Sequence, residues 1–395
     1  MALEQPEQWG GLRARYEVDQ PRRMLALDGG GIRGILTLQV LQEIESQLRA
    51  HYNEPDLRLC QFFDYVSGTS TGAIIAAGVA RGLSVAEILE FYEAFGQVVF
   101  TRRRWKIWNA LYQNGPLEQK LKEVYGSEST LHPQDLKSLL LVVTRNATTD
   151  SAWPVTSNPA AKYNDVDRPD CNLNVPLWKL VRASTAAPVY FPPEVIYWEE
   201  GNDNKAFVFV DGGTTTYNNP AFLMARMATE PAYNLGWQKG ERNLLVVSLG
   251  TGSAATLGAS IDDPESNLAS SAVNTLSSLM SQAAYDQDVN ARTVGRCTTG
   301  DHIDNEVGDL IPKDGAGNPL PLEDDQDRDF LYARYNATLT DAWLAERGLG
   351  DIKADDVSAL DSVDAMPDLT RIGKNLAHDV DLAHFGRFVD LPIHS

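Results

Sequence analysis

The sequence predicts an α/β protein whose mostly parallel central sheet is covered on both faces by helices. Two observations carry this. Several apolar runs are continuous rather than alternating, including Met24-Leu25-Ala26-Leu27, Ser138 to Thr144 and Leu244 to Leu249, as strands buried on both faces require. Two of the runs end on glycine-rich turns that lead into helical periodicity, the order of strand, turn and helix that builds a parallel sheet.

The elements follow in order. Residues 1–23 read as an irregular arm before a single domain over residues 24–395. Met24–Leu27 is a strand ended by Asp28-Gly29-Gly30-Gly31. Ile35, Leu38, Leu41, Ile44 and Leu48 recur at helical spacing and define an amphipathic helix. Phe62 to Val66 reads as a second strand, followed by Gly68-Thr69-Ser70-Thr71-Gly72 and the start of a helix at Ala73. Ser84 and Glu87 form a capping box that opens a helix through Phe95. Asn158 to Asn174 is a surface loop rich in Pro, Asn and Asp. Trp178 to Ala186 is a helix stopped by Pro188. Ala206 to Val210 and Leu244 to Leu249 are strands ending on Asp211-Gly212-Gly213 and Gly250-Thr251-Gly252. Beyond Gly252 the pattern weakens. Residues 253–271 are small and polar, and residues 300–329, with ten acidic against two basic side chains, read as a long exposed loop. Phe330 to Tyr335 is one more strand, and Asp368 to Phe388 is helical.

Composition narrows the function classes. The chain has 395 residues, 43% of them hydrophobic, enough for one large core. No run reaches the ~18 uninterrupted apolar residues of a membrane span. Met1 to Gln20 lacks an apolar signal segment, so a soluble, cytoplasmic protein is expected, with peripheral membrane contact or export without a classical signal left open. Cys60, Cys171 and Cys297 are too widely spaced for a disulfide framework or a zinc cluster, and no metal or cofactor is expected. A net charge of −20 opposes steering toward nucleic acid, and no nucleic-acid partner is expected. Arg102, Arg103, Arg104, Trp105 and Trp108 run the other way, as a basic and aromatic segment suited to transient contact with a membrane surface. The alternative for that segment is a solvated helix start whose tryptophans pack inward. Oligomeric state is not legible.

Three motifs carry chemistry. Ser70 stands at the tip of a glycine-flanked turn between strand and helix, where its hydroxyl is exposed and the backbone lets substrate approach. A free hydroxyl is a poor nucleophile, so a base is needed. Asp211 is one candidate, provided a partly desolvated site raises its basicity. A Ser-Asp-His order with His378 or His384 is the competitor, although both histidines fall in the helical tail rather than on a loop after a strand. Gly29, Gly30 and Gly31, with Arg33 beside them, offer backbone N–H groups at a helix start, suited to a developing oxyanion. The same residues satisfy G-x-G-x-x-G through Gly34, so a dinucleotide module with Glu54 as its acidic residue also stays open. In a parallel sheet all three motifs, at the carboxyl ends of buried strands, would meet on one edge.

Taken together, Asp28 to Gly34, Gly68 to Gly72, Ala183 to Pro193, Asp211-Gly212-Gly213 and Ser248 to Gly252 resemble the patatin-like phospholipases. The match is strongest over residues 24–252 and weaker over 253–395. The resemblance implies a three-layer α/β/α fold and a Ser70–Asp211 dyad without histidine. It implies an oxyanion hole from Gly29, Gly30, Gly31 and Arg33, with Gly68, Gly72, Gly212 and Gly213 as motif support. Asn218-Asn219-Pro220 also fits the family pattern and would fix the turn after Asp211. The implied activity is metal-free hydrolysis of fatty-acyl esters of phospholipids through an acyl-enzyme. A regulated effector, switched on by a partner or small ligand, is the second class that the resemblance admits.

Overall fold

The apolar runs become the strands of one large sheet. The structure, a computed structural model, describes residues 3, 5–99, 114–199, 201–254 and 271–394. Its strands, in chain order, are β1 (Arg22–Leu27), β2 (Tyr65–Thr69), β3 (Leu139–Asn146), β4 (Ser151–Thr156), β5 (Glu194–Tyr197), β6 (Ala206–Asp211), β7 (Leu244–Leu249), β8 (Ser253–Ala254), β9 (Arg296–Thr299), β10 (Leu331–Tyr335) and β11 (Thr338–Leu339). The main sheet runs β5-β6-β3-β2-β1-β7-β10-β9, with β4 also on β3, while β8 and β11 pair separately. From β3 through β9 every neighbouring pair on this path is parallel, as the sequence predicts.

Alternation along the central strands divides the interior into two cores. Leu25 and Leu27 face one, with Leu140, Val142, Leu245 and Val247. Met24 and Ala26 face the other, with Leu139, Leu141, Leu244 and Val246. Helices cover both, which gives three layers. The chain first forms α1 (Arg13–Glu17), then α2 (Gly34–Tyr52), α3 (Leu59–Phe62), α4 (Thr71–Arg81), α5 (Val85–Val99), α6 (Asn114–Tyr125) and α7 (Leu177–Ser184). It continues with α8 (Ala221–Thr229), α9 (Ser271–Val294), α10 (Asp341–Glu346), α11 (Ala354–Ser358) and α12 (Met366–Ala377). Ile35 and Ile44 of α2, Ile74 of α4 and Leu369 of α12 pack in the first core. Leu223 and Met224 of α8 and Tyr16 of α1 pack in the second.

Four expectations change. The arm is not irregular: Pro6–Leu12 is a 3₁₀ turn running into α1, and Trp9, Leu12 and Tyr16 are buried. Tyr16 donates to the Asp64 carbonyl and accepts from the Leu139 N–H, so it bridges β3 and the chain before β2. The strand expected over Phe62–Val66 begins at Tyr65, because Phe62 closes α3, whose Arg58 N–H is capped by Gln61 at 2.8 Å. Strands β4, β5, β8, β9 and β11 are additions; each is short and only partly apolar. Finally, β6 runs antiparallel to β3, so its end does not lie on the parallel edge by topology alone. The basic and aromatic segment Arg102–Trp108 lies outside the described residues.

Candidate active site

Two strand ends meet at β3. Residues 141–143 of β3 pair with β2 on one side and β4 on the other, and residues 144–146 pair with β4 and β6. β2 and β6 therefore share one flank of β3. Thr69 lies opposite Val143 and Asp211 opposite Thr144, so the two strands abut end to end. Ser70, the first residue past β2, falls beside Asp211.

Ser70 adopts φ 54° and ψ −125°, a conformation that L residues rarely take and that holds the side chain on a sharp elbow. The neighbouring glycines are needed for contact distance. A Cβ on Gly68 would stand 2.1 Å from the Gly72 carbonyl oxygen, and one on Gly72 would stand 2.3 Å from that of Leu27. The elbow is thus packed directly against the end of β1. A Cβ on Gly212 would stand 2.2 Å from the Val143 oxygen, and one on Gly213 would stand 2.6 Å from Cε of Met280.

The Ser70 hydroxyl donates to Oδ2 of Asp211 at 2.5 Å, and both residues are buried. Oδ1 of Asp211 accepts from the Gly213 N–H at 2.7 Å, and the Asp211 N–H donates to the Ala186 carbonyl at 3.0 Å. Burial pushes the Asp211 pKa up to about 7, although the Ser70 and Gly213 hydrogen bonds and the Arg182 charge pull it down. That is the range of a usable general base.

None of the six histidines bonds to Ser70 or Asp211. His384 contacts the Tyr335 hydroxyl, His394 contacts Asp64, His132 contacts Asn174 and His51 contacts the Val389 carbonyl. His378 caps α12 and is exposed, as is His302.

The glycine loop is more heavily engaged than its sequence suggests. The Gly29 N–H donates to the Asn218 carbonyl at 3.1 Å, and the Gly30 N–H donates to Oγ1 of Thr71 at 3.2 Å. Gly31, at φ +59°, lines the cavity with Ser70, Thr71 and Asp211. Gly31 is therefore the one of the three glycines on the cavity wall. Arg33 is buried, its pKa lowered to about 10 by desolvation, and Nη1 donates to the Ser358 carbonyl at 3.4 Å. It is not among the residues lining the cavity. A Cβ on Gly30 would stand 2.0 Å from Oγ1 of Thr251, so protein fills the space a dinucleotide phosphate would need. Glu54 is exposed in the turn after α2, where no strand ends. Both facts argue against the nucleotide module.

Of the supports around the elbow, Asn218 is anticipated from sequence as fixing the turn after Asp211, and the others are not. Oγ of Ser184 accepts the Ser70 N–H at 2.9 Å and donates to the Val143 carbonyl at 2.7 Å, tying elbow to sheet. Asn218 reaches the Gly29 and Met280 carbonyls at 3.3 and 3.2 Å. Arg334 of β10 makes a two-pronged buried pair with Asp28 at 2.9 and 2.6 Å, fixing the start of the glycine loop. Arg334 had a sequence signal, as the lone charge within an apolar strand. Thr71 and Ser184 had none beyond their motifs. The cavity encloses about 30 Å³, and Leu117, Tyr190, Phe191, Met280 and Leu360 complete its apolar wall.

Comparison with known proteins identifies relatives of the chain. A family model described as patatin-like phospholipase matches residues 25–225. Patatin group J-1 of Solanum tuberosum is 31% identical over 245 residues, covering 58% of this chain and 60% of that protein. Patatin-17 of Solanum cardiophyllum is 32% identical over 245 residues, covering 59% and 61%. The chain thus spans about three-fifths of the length of these curated relatives. Among solved structures, VipD from Legionella pneumophila aligns over 89% of this chain and 67% of its own, with 13% identity and a TM-score of 0.39.

Proposed function

The chain belongs to the patatin-like phospholipase family, and from that premise we propose that it is a serine lipid acyl hydrolase acting on fatty-acyl esters of phospholipids. The observation that carries this reading is the 2.5 Å hydrogen bond from a strained elbow serine to a buried aspartate. Asp211 takes the Ser70 proton as Oγ attacks the ester carbonyl carbon. The Gly31 N–H, with the Thr71 N–H at the start of α4, stabilises the oxyanion, and Arg33 adds positive potential. The Asp211 proton passes to the departing alcohol as the carbon–oxygen bond breaks, leaving acyl-Ser70. Water, deprotonated by Asp211, then attacks the acyl carbon, and the Asp211 proton passes to Oγ of Ser70 as the acyl carbon–Oγ bond breaks and the fatty acid leaves.

The test is labelling of Ser70 by a fluorophosphonate, followed by mass spectrometry of the products from phosphatidylcholine vesicles. Free fatty acid and lysophospholipid are expected. Ser70→Ala and Asp211→Asn should each lower kcat by about 10³-fold or more. Near-wild-type hydrolysis by Asp211→Asn, with loss in His378→Ala or His384→Ala, would replace the dyad by a triad.

One observation favours a second, regulated reading. Among the described residues the cavity beside Ser70 is narrow, about 30 Å³, so a widening step would favour ester entry. A partner or small ligand that drives this step would make activity conditional. Full activity of the purified chain on vesicles, with nothing added, would remove that reading.

A further inference from the structure

The segment after α11 lies against the glycine loop. The Leu360 carbonyl accepts the Ile32 N–H at 2.8 Å, and the Ser358 carbonyl accepts from Nη1 of Arg33 at 3.4 Å. The approach is close enough that a Cβ on Gly31 would stand 2.1 Å from the Leu360 oxygen. Leu360 itself is buried, belongs to the apolar core that includes Leu369 and Ile372 of α12, and lines the cavity with Ser70 and Asp211. A residue about 290 positions from the serine, and far beyond residues 25–225, therefore meets the loop and lines the same cavity as Ser70.

We propose that Leu360 is a specificity-determining residue, forming the wall that limits the acyl group while its carbonyl holds the loop beside Ser70. This rests on the hydrolase reading above. An acyl chain bound for attack must bring its carbonyl carbon to about 3 Å from Oγ, so its first methylenes must pass the apolar residues that enclose Ser70. Of these, Leu360 is the one whose backbone also fixes the loop. Its side-chain volume thus sets which acyl groups fit without moving the loop. Each methylene gained or lost in such a pocket changes relative rates by about 10-fold or more.

The experiment measures kcat/KM of full-length wild type, Leu360→Ala and Leu360→Phe on p-nitrophenyl butyrate and p-nitrophenyl dodecanoate. The ratio of the two values within one protein cancels the folded fraction, so a purely structural role would not move it. Leu360→Ala should raise the dodecanoate-to-butyrate ratio about tenfold, and Leu360→Phe should lower it. If Leu360→Ala yields no soluble protein, Leu360→Phe and Leu360→Met still report the ratio. A ratio unchanged in the soluble variants, with wild type active and Ser70 labelled, overturns the role of Leu360 alone. Wild type that cleaves neither ester and leaves Ser70 unlabelled overturns the hydrolase reading, and this inference with it.

Discussion

In the proposed mechanism, Asp211 concentrates the chemistry into one carboxyl group. It must be ionised to accept a proton, and burial holds its pKa up to about 7. kcat/KM should therefore climb with pH and level off above about 7, and a profile flat from about pH 5 to 8 would discount Asp211 as the base. Stability runs the opposite way. Between the unfolded value of ~3.9 and the raised folded value, the unfolded chain releases a proton that the folded chain keeps, so stability falls as pH rises through that window. Asp211→Asn, which cannot ionise, should be more stable than wild type at about pH 8 by about 1–3 kcal/mol in urea titrations, while losing activity. Ser70 and Asp211 stood out as candidates because each stands in a glycine signature that is local in sequence, and the structure brings them into hydrogen-bond contact. Ser184 and Thr71 were not, because their work is to meet groups brought by other elements.

At the scale of elements, the elbow is built by close backbone approach. Gly72 lies inside α4, where alanine would ordinarily stabilise a helix by about 1 kcal/mol. Here a Cβ would meet the carbonyl oxygens of Leu27 and Asp28 at 2.3 and 2.6 Å. Gly72→Ala should instead destabilise by about 1–3 kcal/mol and lower activity, because the end of β1 must shift away from Ser70. Wild-type stability and rate in that variant would show that α4 and β1 have room to separate. The periodicity of Ile35 to Leu48 and the Ser84–Glu87 box located α2 and the start of α5 well. Apolar runs located β1, β3 and β7, but Phe62–Val66 misled because one apolar run serves both the end of α3 and the start of β2.

Across the whole molecule, Asp64 ties both ends of the chain to the sheet. It is fully buried among Arg15 of α1, Arg22 and Arg23 of β1, and His394 near the last residue. Burial alone would raise its pKa, but the His394 hydrogen bond and the three guanidinium groups hold it well below the usual carboxylate range. A carboxylate so depressed contributes stability above its unfolded pKa of ~3.9, and that contribution is lost as pH falls toward the folded value. Asp64→Asn would leave buried guanidinium groups without their counter-ion, and should cost about 3–5 kcal/mol at neutral pH. The gap between variant and wild type should shrink on acidification below about pH 4. A variant as stable as wild type at neutral pH would show that the arginines find other partners.

The sequence by itself determined the layer architecture, and it singled out the candidate serine and aspartate and the glycine loop beside them. Each is written in local pattern: continuous apolar runs, helical spacing, and glycines where backbone must turn or approach. Only the tertiary structure decided how they meet. The expected reason, a shared edge of parallel strands, does not hold for β6, which runs antiparallel and reaches Ser70 by abutting β2 along β3. The docking of Pro6–Glu17, the Asp28–Arg334 pair and the seat of Leu360 on Ile32 were likewise decided there. Such contacts join residues tens to hundreds of positions apart, and nothing in the local pattern of either partner encodes the other.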